Sequence, residues 1–144
     1  PIDMSVLVND VAGDDIGGVC TFIGLVRNHS RGQRVTHLEY HAYPEMSEKK
    51  MRQVIEEIAE QYGVDRIAVE HRIGTLQIGE IAVGIASSSA HRDAAFKACR
   101  YAIDAIKARL PIWKKEFYLG GNPAWDGCRG CLQHKQTTET ATIQ

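Results

Sequence analysis

The chain has 144 residues, of which 44% are hydrophobic and 24% charged, and its formal net charge is -1. This is ordinary globular composition at a length that suits one domain with its own core; it excludes a polycation, an acidic disordered chain and a protein held to membranes by bulk charge. The apolar runs are a few residues long, far short of the ~20 needed to span a bilayer. The start, Pro1-Ile2-Asp3-Met4, shows no basic region leading into an apolar stretch, so a soluble cytoplasmic protein without a signal peptide is the expectation.

In chain order, Ser5–Val11 predicts a short helix with Asp3 as its N-cap. Gly17-Gly18 opens an apolar, β-branched run, Val19–Val26, which reads as a buried strand. Asn28–Gln33 is polar and reads as a loop. Val35–Tyr43 alternates as a second strand, with Leu38 and Tyr40 on one face. Met46–Tyr62 carries Met51, Val54, Ile55, Ile58 and Tyr62 at helical spacing, and Gly63 ends that helix. Ile67–Val69 and Ile81–Ala86 predict strands on either side of a turn-rich stretch marked by Gly74 and Gly79. A second long helix runs from about Ala90 to Leu110, stopped by Pro111, and Ile112–Tyr118 predicts the last strand. Residues 1–119 thus form the expected domain, and 120–144 a Gly-, Thr- and Gln-rich tail whose last ten residues read as mobile. Strands bracketing two long helices favour an α+β fold, with the helices packed on a mixed or antiparallel sheet. A Rossmann fold is disfavoured because no Gly-x-Gly-x-x-Gly follows a strand.

The near-zero total charge conceals segregation. Residues 1–26 sum to -4, and residues 91–116 to +4. A local basic cluster in a neutral chain points to a small anionic ligand more than to a nucleic-acid backbone.

Within that cluster, Lys107 borders the apolar face of the second long helix and Lys114 lies just past Pro111. Like-charge repulsion and desolvation would tune such a pair for acid–base or nucleophilic work. The alternative is a snorkelling Lys107 and a surface Lys114. His91-Arg92 follows Ser87-Ser88-Ser89 at the expected helix start. It suits a phosphate, or is a plain helix N-terminus capped by Ser88 or Ser89. Arg27 at a strand end, and His71-Arg72 at another, are placed to reach a ligand or to face solvent. Cys20 and Cys99 read as buried, unreactive thiols. Cys128-x-x-Cys131 with His134 offers three zinc ligands without an evident further ligand pair, so a disulfide or free thiols remain open.

Five blocks then carry a resemblance. They are Gly24-Leu25-Val26-Arg27-Asn28; Leu38-Glu39-Tyr40-His41-Ala42-Tyr43-Pro44-Glu45-Met46; His71-Arg72-Ile73-Gly74-Thr75-Leu76 with Gly79-Glu80; Ser89-Ala90-His91-Arg92 with Ala95-Phe96; and Asp104-Ala105-Ile106-Lys107 with Pro111-Ile112-Trp113-Lys114-Lys115-Glu116. In this order and spacing, from Gly17 to Phe117, the chain resembles the large, catalytic subunit of molybdopterin synthase.

The resemblance implies an α+β fold of the α/β-hammerhead type. It implies a sulfurtransferase that converts cyclic pyranopterin monophosphate into molybdopterin. The sulfur would come from the C-terminal Gly-Gly thiocarboxylate of a small ubiquitin-like subunit. It implies a central homodimer within a heterotetramer, and no cofactor or metal for the step. Lys107 and Lys114 match the family's two essential lysines. Arg27, His91 and Arg92 match its anion and substrate pocket. Lys115 and Glu116 match positions beside the second lysine, and Arg72 matches an arginine expected near the pterin phosphate. Two other readings compete. One is a non-catalytic module that binds a ubiquitin-like Gly-Gly tail; the other is a zinc-stabilised nucleic-acid binder built on Cys128, Cys131 and His134.

Overall fold

The computed structural model describes residues 1–127. Cys128, Cys131 and His134, with most of the expected tail, lie outside the described residues. Helix α1 spans Met4–Val11. Asp3 caps it as expected, its Oδ1 accepting from the Ser5 backbone N–H at 2.9 Å and from the Ser5 hydroxyl at 2.6 Å.

Strand β1, Gly18–Leu25, pairs with β6, Ile81–Ser89, and β6 pairs in turn with β4, Arg66–His71. The result is a three-stranded sheet in the order β1-β6-β4 with β6 at its centre. Every residue from Ala82 to Ser88 is buried. The even and odd positions of this strand face different layers. On one side Gly84 and Ala86 meet α1; a Cβ at Gly84 would stand 2.6 Å from Met4 Sδ and 2.9 Å from Leu7 Cδ1, so its hydrogen lets the helix approach. On the other side Val83 and Ile85 join the main core under the two long helices.

Those helices are α2, Pro44–Tyr62, and α3, Arg92–Arg109. Helix α2 starts two residues before the expected Met46, because Pro44 suits the first helical position. Gly63 closes it in the left-handed conformation at φ 66. Val54, Ile58, Ala98, Ala102 and Ile85, at most 0% exposed, form the centre of the core. Glu57 of α2 clamps α3 through Arg109 Nη1 at 2.6 Å and the Tyr101 hydroxyl at 2.6 Å.

A second sheet lies beyond the ends of β1 and β6. It holds β2, His29–Ser30, β3, Gln33–Ala42, β5, Gly74–Gln77, β7, Ile112–Tyr118, and β8, Ala124–Gly127. Strand β3 pairs with β2 and β5 and with β7, and β7 with β8. Every pairing is antiparallel. The α+β expectation holds, with three helices on antiparallel sheets.

Three details depart from the sequence reading. The run Val19–Val26, read as buried, is an edge strand exposed at every second residue, with Val19, Ile23 and Leu25 uncovered at 41%, 44% and 61%. The loop at Asn28–Gln33 is a hairpin turning on Arg31 (φ 51) and Gly32 (φ 74), a two-residue turn with both central residues at positive φ. The sheet does not end at Tyr118, because β8 adds a strand from the segment read as tail.

Candidate active site

Where the two sheets meet the C-terminal end of α3, a cavity of about 570 Å³ opens. Arg27 enters it from just past β1, Tyr40 from β3, His71 from the end of β4, Lys107 from α3, Lys114 and Glu116 from β7, and Asp126 from β8. The geometry follows from periodicity. Lys107 sits one turn beyond Ile103, so it projects past the core stripe at the helix end, where a cation also complements the helix dipole. Lys114 and Glu116 are two residues apart on a strand and share a face, and Lys115 takes the opposite one. Lys115 accordingly does not line the cavity; its Nζ lies 5.3 Å from the Phe117 ring centre and 5.2 Å from that of Trp125.

Glu116 is the buried anchor of the site, only 4% exposed. Its Oε1 pairs with Lys114 Nζ at 2.9 Å, and its Oε2 accepts the Tyr118 hydroxyl at 2.6 Å. Burial pushes its carboxyl up, but hydrogen bonds from Tyr118, Lys114 and Ser30 outweigh it and hold the pKa at about 2. Asp126, paired in register with Lys114 from β8, stands 4.0 Å from the same ammonium. Lys114 is thus held chiefly by Glu116, with Asp126 as a second, more distant carboxylate. Tyr40 lines the same cavity, its phenol pKa raised by burial, against the lowering influence of Lys114 and with the raising influence of Glu116 and Asp126. Such a pocket, two lysines and an arginine around one desolvated carboxylate, can hold an anionic group and move protons beside it.

The remaining expected site residues lie elsewhere in the chain. His91 is the N-cap of α3 without a side-chain capping bond, and Arg92 is its first residue; both are exposed. They stand about 22 Å from Lys107 along α3, at 1.5 Å per residue. The serines before them make no phosphate-binding turn. Ser87 and Ser88 are buried in β6 and donate to the carbonyls of Ala95 at 2.8 Å and Val11 at 2.6 Å. Arg72, just after β4, pairs with Glu80 at 3.3 Å rather than lining the cavity. Burial, with Cys20 beside it, pushes the Cys99 thiol up to about 12, which suits an inert thiol. Among the described residues no cluster of three or more His, Cys, Asp or Glu could hold a metal ion.

His71, read from the sequence as a strand-end residue that could reach a ligand, does line the cavity, whereas Tyr40 and Asp126 were not read as site residues. Tyr40 was legible as the neighbour of Leu38 on one strand face. Asp126 was not, because the strand that carries it was read as tail.

Fold and cavity together define the class: an α+β domain with a cation-lined pocket suited to an anionic ligand. Residues 1–109 match the family model described as MoaE protein. The chain is 48% identical over 125 residues to the molybdopterin synthase catalytic subunit of Thermoplasma volcanium, covering 87% of this chain and 89% of that one. It is 44% identical over 127 residues to the same subunit of Halalkalibacterium halodurans, covering 88% and 81%. The crystal structure of molybdopterin synthase from Staphylococcus aureus superposes with a TM-score of 0.83 at 43% identity, over 88% of this chain and 92% of that one. The chain belongs to the MoaE family, the catalytic subunits of molybdopterin synthase.

Proposed function

We propose that the protein transfers sulfur to cyclic pyranopterin monophosphate, making the dithiolene of molybdopterin in the cytoplasm. The donor is the C-terminal Gly-Gly thiocarboxylate of a small ubiquitin-like subunit. The observation that carries this reading is the convergence of Arg27, Lys107 and Lys114 on one cavity in a chain of this family. The sulfur must attack a pterin side-chain carbon while the cyclic phosphate opens. Phosphate and tail carboxylate both need cations, which these residues supply in a partly desolvated space. Lys107 and Lys114 serve as proton donors or acceptors and as anchors for the tail, and Glu116 holds Lys114 in place. Bringing two reactants together in such a pocket removes several kcal/mol of barrier, roughly.

His91, Arg92 and Arg72 enter this reading through a second copy. One chain separates Arg92 from Lys107 by about 22 Å of helix, so a pocket using both draws them from different protomers. The uncovered apolar residues of β1, with Phe96 at 62% exposure near the start of α3, support such an assembly. The whole is read as a homodimer carrying one small subunit on each copy. The segment after Gly120 contributes Asp126 to the site, and its Cys128, Cys131 and His134 are given no role in the transfer.

Lys114→Ala tests the catalytic assignment. The variant is expected to bind the small subunit with nearly unchanged affinity and to form no dithiolene. Normal turnover in the variant would reduce the protein to a module that binds a Gly-Gly tail.

A further inference from the structure

Lys114 stands in a row across the second sheet. Tyr40 of β3 is its register partner on one side, and Asp126 of β8 on the other. Residues paired across antiparallel strands share a face, and all three line the cavity. Lys114 therefore meets two carboxylates of unlike character. Glu116 is buried, with one oxygen on Lys114 Nζ at 2.9 Å and the other on the Tyr118 hydroxyl at 2.6 Å. The Asp126 side chain is 44% exposed, and its Oδ2 stands 4.0 Å from the same ammonium, outside hydrogen-bond distance.

The second oxygen of Asp126 also faces a cation. Its Oδ1 lies 4.0 Å from Arg31 Nη2. Arg31 sits in the tight turn of the β2–β3 hairpin at φ 51, next to Ser30, which lines the cavity. The turn thus sets a guanidinium at the cavity rim. Asp126 spans this guanidinium and the Lys114 ammonium without reaching hydrogen-bond distance of either. Ion pairs so open to solvent are weak and screened by salt. A phosphate or a free carboxylate brings oxygens able to close on both cations and form charge-assisted hydrogen bonds. Strand β8 ends the order β2-β3-β7-β8, so Asp126 stands on the outermost strand of that path, where its side chain can turn towards solvent.

We infer that Lys114 and Arg31 form an oxyanion subsite whose resident counter-ion is Asp126, displaced when a phosphate or carboxylate enters. Glu116 stays in place, buried and bonded through both oxygens, and keeps Lys114 at the subsite. The sulfurtransferase reading above supplies the two candidate oxyanions, the pterin phosphate and the C-terminal carboxylate of the donor tail. Asp126 therefore holds anion affinity down, and Arg31 raises it from the rim.

The test uses the full chain and three probes: inorganic phosphate, a peptide ending in Gly-Gly with a free carboxylate, and the same peptide as its C-terminal amide. Asp126→Asn keeps the shape of the side chain and removes its charge. It is expected to tighten anion binding roughly threefold at low salt and less at high salt, and Arg31→Gln to weaken it by a similar factor. A gain for phosphate places the pterin phosphate among the ligands of the subsite. A gain for the free-carboxylate peptide but not for its amide places the tail there. In the wild-type protein, the side-chain carboxyl 13C resonance of Asp126 should shift on saturation with the probe that gains. Unchanged or weaker binding of both anions in Asp126→Asn, or an Asp126 carboxyl that does not respond, would overturn the inference; the wild-type spectrum decides it even if a variant folds poorly. These measurements need no turnover, so absence of product from the complex with thiocarboxylated small subunit would count against the sulfurtransferase reading alone.

Discussion

Glu116 shows how one side chain links stability to the site. Its carboxylate is desolvated, yet two hydroxyls and an ammonium keep it ionised. A folded-state pKa of about 2 against the ordinary 4.5 means that Glu116 stabilises the fold above 4.5 and loses that contribution as pH falls towards 2. Glu57 shares the sign, because hydrogen bonds from Arg109 and Tyr101 lower its pKa to about 2 against a small effect of burial. Acid titration of the folded state should therefore show a stability loss concentrated between pH 4.5 and 2. In Glu116→Gln the loss should be shallower, because one linked proton is gone, while stability at neutral pH falls. Urea unfolding at a series of pH values reads both; an unchanged pH slope would contradict the assignment. The pairing of Lys114 with Glu116 was legible from their spacing of two in a strand. The same spacing places Lys115 on the other face, a consequence that the family resemblance alone did not supply. His71 was legible only as a strand-end residue, because its hydrogen bond to the Arg72 carbonyl and its edge contact with Tyr40 belong to the folded chain.

At the scale of elements, the helices were the most legible parts. Their apolar stripes, the Asp3 cap, Gly63 and Pro111 each have a local cause, and the boundaries fall within two residues of expectation. Strands were less legible where partners decide exposure. The apolar run of β1 reads as buried, yet it sits at a sheet edge with alternate residues uncovered. Strand β8 escaped because Ala124-Trp125-Asp126-Gly127 is short and lacks alternation; its pairing with β7 makes it a strand. The contact of α1 with the centre of the sheet yields a second prediction. Gly84→Val places methyl groups where Met4 and Leu7 already stand, so it should destabilise the fold by about 1–3 kcal/mol through overpacking. Denaturant unfolding measures this. Wild-type stability would mean that α1 does not press on β6 as described.

For the whole molecule, the charge segregation visible in the sequence resolves into two places. Lys107 and Lys114 lie at the cavity, and His91 and Arg92 at the far end of α3. Sequence spacing could not show this, because the separation belongs to the direction of α3. If protomers share sites, Lys114→Ala and Arg92→Ala should be inactive alone and regain activity when their chains are exchanged. Each mixed dimer then has one intact site, so an equal mixture should reach roughly a quarter of wild-type turnover. No recovery despite exchange would keep each site within one chain. Leu25→Glu and Ile23→Glu place charge on the uncovered face of β1, and both should shift the protein towards monomer in sedimentation. Arg92→Ala should also weaken binding of the pterin phosphate more at low salt than at high salt, as for a screened charge contact.

The most direct measurement of the reaction incubates the protein with thiocarboxylated small subunit and cyclic pyranopterin monophosphate, and then assays the pterin for dithiolene. The expected product is molybdopterin, formed only when the thiocarboxylate is present. Binding of both partners with no dithiolene product would contradict the proposed sulfur transfer.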